Sequence, residues 1–429
     1  MVTSGQTASD ATTVFAALHT TAGQRVLAAA AELVVEDPLK AATRLRRDAE
    51  RALAASGDEA AAGVSPADLA GAALTQARLR ARGREKFGGR ADRMFFTAPG
   101  LEQATRGRVT GYRAARLAAA LGTGARVADL GCGIGADTLG MAEAGLAVEG
   151  IEADPLTSAV AAANVTALGV ADRARVREGD AAAVAPADYD AVFCDPARRT
   201  GRGRVFDPDA YSPPWDTVLD LAARAPASCV KAAPGIPHER IPEGAGAEWI
   251  SVDGELKETA LWQGAPAPAR RRATLLSSAV SEPSVLEADP AREPAPTGPP
   301  ARYLYEPDNA VVRAHLVAEA ASLVGGALLD PDIAYITAER LVPTPFCRAY
   351  EIHEAMPFSL KRLRAAVRKR NAGTVTIKKR GSAVDVEKLR RDLRPSGPES
   401  VVVVLTRVRE RPLCLLCSEV TAPPETSGT

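Results

Sequence analysis

The chain has 429 residues, too many for one ordinary domain, and two or three are expected. Apolar residues make up 46% and charged residues 25%, as in a globular protein. Formal net charge is zero, which excludes a polycation, so any nucleic-acid surface must be local; 4% aromatics argue against a binding mode built on many stacked bases.

In chain order, residues 1–95 are alanine-rich and predict helices, with Val26, Ala29, Ala30 and Leu33 at helical spacing. Ser65 and Pro66 form a cap and first-turn proline opening a helix to about Arg82. Arg78, Arg80, Arg82, Arg84, Lys86, Arg90 and Arg93 then face only Glu85 and Asp92, as a solvated helix face or as phosphate contacts. A helix over 101–121 leads into strands at 126–130, 148–152, 175–178, 190–194 and 228–232. Helices fall between them, one opened by Asp154-Pro155 and one by Ser212-Pro213. Alternation of this kind predicts an α/β fold with a parallel sheet and right-handed crossovers. Further strands are expected at 249–252, 256–262 and 272–277. The proline-rich stretch 281–300 reads as a linker. Beyond it, helices at 307–323 and 358–371 and strands at 374–378, 401–406 and 413–418 predict a small α+β domain.

Six cysteines (Cys132, Cys194, Cys229, Cys347, Cys414, Cys417) lie mostly in apolar runs and read as reduced, mostly buried thiols. Cys414 and Cys417 share C-x-x-C spacing, but on a strand residues three apart face opposite ways, and no second pair completes a zinc site. His19, His315 and His353 share no metal-binding spacing, and no metal is expected. No run of about 18 apolar residues occurs and the N-terminus lacks a leader pattern, so a cytoplasmic protein without membrane contact is expected.

The chemistry concentrates at 127–139. An apolar strand runs into Gly131, Gly133 and Gly135, and a helix follows. Glycines let the backbone turn sharply and touch a ligand, and the free N–H groups of a helix start suit a carboxylate or phosphate. The spacing is G-x-G-x-G rather than the dinucleotide pattern G-x-G-x-x-G. Asp129, two residues before Gly131, would repel a pyrophosphate and attract an ammonium group. That favours S-adenosylmethionine, which has no phosphate, over NAD. Acids also stand at the carboxyl ends of successive strands: Asp129, Glu152, Asp180 and Asp195. Ligands bind at those ends in open parallel sheets. Glu152 is placed for the two ribose hydroxyls and Asp180 for the adenine amine.

Asp-Leu-Gly-Cys-Gly-Ile-Gly at 129–135, Gly-Ile-Glu at 150–152, Gly-Asp at 179–180 and Asp-Pro at 195–196 resemble the motif series of class I S-adenosylmethionine-dependent methyltransferases, over about residues 100–280. The resemblance implies a Rossmann-like methyltransferase sheet. Asp129, Gly131, Gly133 and Gly135 would hold the methionine part of the cofactor, Glu152 the ribose and Asp180 the adenine. Leu101-Glu-Gln-Ala-Thr-Arg106, Asp195-Pro-Ala-Arg-Arg199, Ala233-Pro-Gly235 and Tyr303-Leu-Tyr-Glu-Pro307 resemble a bacterial branch in which a THUMP-like domain, related in name to RNA-binding modules, follows the methyltransferase domain. The implied organisation is a helical region 1–95, a methyltransferase domain 96–280, a linker 281–300 and a basic THUMP-like domain 301–424.

Asp195 and Pro196 sit where amino-methyltransferases carry Asp/Asn-Pro-Pro-aromatic, whose acid holds the target amine in line with the sulfonium methyl. Here Ala197 and Arg198 replace the second proline and the ring; a guanidinium can stack on a base or hold a phosphate. Asp195, Pro196 and Arg198 are the candidate catalytic residues. Arg198, Arg199, Arg202 and Arg204 follow one another without an acid, which anticipates a polyanion. Between 361 and 394 thirteen Lys and Arg face Asp385, Glu387 and Asp392, a local net charge of about +10. Aromatics are nearly absent there, which favours backbone and shape recognition over reading of single bases. His238, after the Pro-Gly turn, is a weaker candidate. The expected function is methyl transfer to RNA (tRNA or rRNA), with a base nitrogen as first expectation for the acceptor. The alternatives are a small-molecule or protein methyltransferase, and a non-catalytic RNA-binding protein keeping the cofactor fold.

Overall fold

A computed structural model describes residues 4–57, 63–198, 211–268 and 270–420. Arg199, Arg202 and Arg204 lie outside them. The chain forms two compact units, Met1–Ala245 with Ala260–Ala267, and Gly246–Thr259 with Pro268–Thr429. The helical residues up to 95 therefore share a unit with the first strands.

That unit opens with helices α1 (Ser4–Ala17), α2 (Thr21–Glu32), α3 (Pro38–Ala55) and α4 (Pro66–Phe87). Asp37 and Ser65 cap α3 and α4 by accepting backbone N–H groups of the first turn, each ahead of a proline that needs no partner. The helix expected over 101–121 is two: α5 (Ala98–Gln103) and α6 (Gly107–Leu121). Lys86 of α4 explains the break. Its ammonium donates to the carbonyls of Leu101, Glu102 and Ala104 at 2.7, 2.6 and 3.0 Å, satisfying oxygens that α5 leaves open and letting 104–106 turn away.

Strands and helices then alternate: β1 (Arg126–Leu130), α7 (Ala136–Glu143), β2 (Ala147–Glu152), α8 (Pro155–Ala167), β3 (Ala174–Glu178), β4 (Ala191–Cys194), β5 (Ala197–Arg198), β6 (Tyr211–Ser212), α9 (Trp215–Arg224) and β7 (Ser228–Ala232). The helix expected from Ser212 begins at Trp215, after a cis Ser212–Pro213 bond and the capping residue Pro214. The sheet order β3-β2-β1-β4-β7 is parallel throughout. Strand succession reverses between β1 and β4, so a crevice opens at their carboxyl ends. A short ribbon pairs Ala197 with Ser212 and Arg198 with Tyr211.

The second unit holds β8 (Gly246–Val252) and the start of β9 (Glu255–Gln263), with β10 (Arg271–Leu276) parallel to β8 and β11 (Ser284–Glu287) antiparallel to β10. β11 overturns part of the linker expected at 281–300. So do the bonds from Leu328 N–H to the Pro296 carbonyl and from Gly298 N–H to the Leu328 carbonyl. A four-residue edge strand among prolines is too short to show a period.

A seven-stranded sheet follows: β12 (Tyr303–Pro307), α10 (Asn309–Arg313), α11 (Val317–Leu323), β13 (Ala327–Asp330), β14 (Ile333–Ala338), β15 (Cys347–Pro357), α12 (Leu360–Lys369), β16 (Ala372–Lys379), α13 (Val386–Leu393), β17 (Glu399–Val408) and β18 (Arg411–Glu419), in the order β13-β14-β12-β15-β18-β17-β16. The helix expected at 307–323 is broken at His315, whose φ is 56°, and Arg271 takes the carbonyls of Ala314 and His315. β12 to β15 and α13 were not anticipated. On one face of the sheet, Leu363, Ala366, Val367, Leu389 and Leu393 of α12 and α13 pack on Val403, Leu405, Cys414 and Leu416. Among the described residues no helix is long and apolar enough to cross a membrane.

Candidate active site

The turn after β1 is built by its glycines. Gly131 and Gly133 have φ of 80° and 56°, and a Cβ on either would meet nothing within 4 Å. The left-handed backbone, not crowding, requires glycine there, and the space beside it is open to a ligand. Gly135, also at positive φ, starts α7 without a side-chain cap. Asn164 of α8 braces the turn by donating to the Ile134 and Phe95 carbonyls and accepting from Phe95 N–H.

The acids divide by environment. Asp129 is 1% exposed. Its Oδ2 accepts from Thr138 at 2.5 Å, and its Oδ1 is buried with no hydrogen-bond partner among the described residues. Burial, then the neighbouring Asp137 carboxylate, push its pKa up to about 8, Asp195 adding to the shift; the Thr138 bond and Arg113 oppose it. Glu152 bridges the ends of two strands: Oε2 accepts from Gly133 N–H at 2.9 Å and Oε1 from Asp154 N–H at 3.0 Å. It therefore shapes the turn as well as facing the crevice, a second task that strand-end position did not reveal. Asp180 is exposed and caps the short turn at 181–183 through Ala182 N–H. No bond joins it to the other acids; its place follows from the pairing of β3 with β2.

Asp195 follows β4. Its Oδ2 is bonded to the Lys231 ammonium at 2.5 Å, and Lys231 also donates to the Thr105 hydroxyl at 2.9 Å. Pro196 is buried; the Arg198 backbone lies in the β5–β6 ribbon. Lys231 was not singled out from the sequence, although a lone lysine within Ser-Cys-Val-Lys-Ala, a strand inside a parallel sheet, is the signal. Arg113 was missed too. It sits on the apolar stripe of α6 with Val109, Ala114 and Leu117, 1% exposed, paired with Asp137 and lying 5.0 Å from the Phe193 ring centroid. Burial raises the Cys132 and Cys194 thiols, so neither is a ready nucleophile.

Cations are arranged differently in the two basic stretches. In the first, Arg80 donates to the Met94 carbonyl and lies over Phe95, Arg82 faces Glu102, Arg84 pairs with Asp92, Arg90 with Glu143, and Arg93 donates to the Ala167 carbonyl. Most of these cations are thus tied within the chain, Arg82 and Arg84 through exposed pairs as on a solvated helix face, while Arg78 is exposed. In the second, Lys361, Arg362, Arg368, Lys369, Lys388 and Arg394 are exposed, and their side chains make no hydrogen bond or ion pair among the described residues.

An α/β sheet with this strand order, glycine turn and acid rim is that of a Rossmann-like class I methyltransferase. A protein of Mycobacterium tuberculosis, strains CDC 1551 and H37Rv, named as an uncharacterized S-adenosylmethionine-dependent methyltransferase, is 36% identical over 323 residues. The match covers 73% of this chain and 84% of the relative. The chain belongs to the S-adenosylmethionine-dependent methyltransferases, and S-adenosylmethionine is its methyl donor. The family model "THUMP domain-like" matches residues 347–419, and a domain of unknown function matches 10–57. A solved structure from Porphyromonas gingivalis W83, named "putative methyltransferase", shares the fold with a TM-score of 0.68 at 19% identity, over 93% of this chain and 99% of that one.

Proposed function

We propose that the protein methylates RNA, tRNA or rRNA, holding the RNA backbone on its C-terminal domain. The observation that carries this is the layer formed by α12 and α13. Its inner side is the apolar core, and its outer side presents exposed Lys361, Arg362, Arg368, Lys369, Lys388, Arg390, Arg391 and Arg394. Six of these, Lys361, Arg362, Arg368, Lys369, Lys388 and Arg394, have no partner among the described residues, whereas Arg390 pairs with Glu387. Exposed cations of this kind suit a phosphate backbone, and the layer falls within the THUMP domain-like match.

The residues of the first unit fit the methyl donor. Asp129 offers a buried oxygen with no partner, and the glycine turn leaves room that a Cβ would take. Asp129 would meet the donor's ammonium, and Gly131, Gly133 and Gly135 with the start of α7 its carboxylate. Glu152 would accept from the ribose hydroxyls with the lone pairs its two backbone bonds leave, and Asp180 from the adenine amine. When bound, S-adenosylmethionine supplies a methyl group activated on a sulfonium. Asp195 would then hold the acceptor against it, stiffened by Pro196, with Arg198 as the candidate group for phosphate or base.

Filter binding of bulk tRNA to the full chain, titrated over roughly 50 to 200 mM salt, tests the RNA assignment. Affinity should fall steeply and linearly on logarithmic axes. A salt-independent or undetectable complex would leave a small molecule or protein as the acceptor. Calorimetry with S-adenosylhomocysteine tests the pocket: Glu152→Ala should abolish measurable binding.

A further inference from the structure

Asp195 does not stand as an acid free to hold an amine. One of its oxygens is taken by Lys231 at 2.5 Å, and Lys231 is held in turn by Thr105 at 2.9 Å. The pair is only partly exposed, at 29% and 19% for the acid and the lysine, so water screens it incompletely. More positive charge stands close by. Burial, then the Arg106 and Lys231 charges, depress the pKa of Lys86, with Glu85 and Glu102 opposing, and Arg106 itself pairs with Glu85 at 3.2 Å. Arg106 belongs to the same 104–106 turn as Thr105, so the turn that breaks the 98–121 helix carries both the hydroxyl and a cation to this place. The ring and second proline that would clamp a flat base are absent, and the chain after Pro196 enters a ribbon instead.

This electrostatic setting separates acceptor classes. An exocyclic amine becomes positively charged as its nitrogen takes a methyl group, and cations around a neutralised acid oppose that. A hydroxyl loses a proton and gathers negative charge on oxygen, which the same cations favour. We propose that Lys231 is a positioning residue that commits the site to an oxygen acceptor, so that the methylated group is a hydroxyl such as that of ribose and not a base nitrogen. The acceptor oxygen's lone pair forms the new C–O bond as the bond from methyl to sulfur breaks, its electron pair remaining on sulfur as a neutral thioether. The hydroxyl proton passes to the Asp195 carboxylate, which Lys231 orients, and from there to water. For ribose as acceptor the proposal rests on the RNA assignment above.

Three measurements decide it. The first incubates the full chain with methyl-tritiated S-adenosylmethionine and total RNA from a strain lacking this protein, followed by alkaline hydrolysis. A 2′-O-methyl group blocks cleavage of its own linkage, so label is expected in alkali-stable dinucleotides. Label confined to mononucleotides overturns the oxygen acceptor while leaving the RNA assignment standing. RNA that takes up no label overturns both. The second measures S-adenosylhomocysteine affinity. Lys231→Gln and Lys231→Arg should stay within about twofold of the parent, whereas a tenfold loss would make Lys231 part of the donor pocket and overturn its role here. The third compares pH–rate profiles. Lys231→Gln should transfer methyl on the order of 100-fold more slowly at neutral pH and recover as pH rises, because hydroxide takes over removal of the proton. Lys231→Arg should retain more activity. A uniform loss at every pH marks a merely structural lysine and overturns the proposal.

Discussion

Residues 78–93 and residues 361–394 are both dense in Arg and Lys, yet the molecule uses them in opposite ways. In the first stretch most of the cations are tied to carbonyls, carboxylates or a ring of the chain itself, several of them in exposed pairs, binding α4 to the segments that follow it. In the second, six side chains have no internal partner and stand on the outer side of a helical layer. Charge density alone does not separate a structural tie from a docking surface. The supply of acceptors does: open carbonyls of α5 and the acids Asp92, Glu102 and Glu143 lie within reach of the first stretch.

The largest test of this contrast is the combined variant Lys361→Ala, Arg362→Ala, Arg368→Ala and Lys369→Ala. It should weaken tRNA binding on the order of 100-fold at low salt and make the salt slope shallower by about 3, since each phosphate contact contributes roughly 0.7 to 0.9. The thermal midpoint should hardly move; an unchanged slope would break the contrast. Next comes Lys86→Met, which removes a charged donor from three carbonyls. It should cost about 2–3 kcal/mol in denaturant unfolding while the tRNA salt slope stays as it was.

Asp129→Asn sharpens the same point for a buried acid that lacks a full set of partners. In the ligand-free protein its carboxyl keeps a proton up to about pH 8, whereas the unfolded chain releases it near 3.8. The folded state thus holds more protons across that window, so this group's contribution to stability falls as pH rises through it and levels off above about 8. Asparagine removes the penalty. The variant should therefore melt higher than the parent at pH 9, match it near pH 4, and bind S-adenosylhomocysteine more weakly. Smallest is Arg82→Ala, which loses an exposed pair with Glu102 at 3.6 Å and should change stability by less than about 0.5 kcal/mol.

Strands β1, β2, β4 and β7 lay open to a sequence argument because each is a largely apolar run ended by glycine, acid or proline, and β3, Ala-Arg-Val-Arg-Glu, because it falls in turn in the strand–helix alternation. The same holds for the glycine turn and the position of Asp129. Other features were hidden for reasons of distance along the chain. Lys86 ends α5 from 15 to 18 residues away, and Asn164 braces Phe95 from 69 residues away. Lys231 meets Asp195 across 36 residues and Thr105 across 126. β11 and α13 were missed because elements of four and eight residues, flanked by proline or crowded with arginine, carry too little periodicity.

What the sequence by itself determined is local: strand and helix types, glycines able to take positive φ, and acids at the strand ends, since each follows from neighbours a few residues away. Tertiary structure alone decided which charges are spent. It tied most of the 78–93 cations to acceptors of the chain, left six of those around α12 and α13 without partners, stranded one oxygen of Asp129 in the core and set Lys231 against Asp195. The energy of a charge depends on what surrounds it in space, and chain order does not list those surroundings.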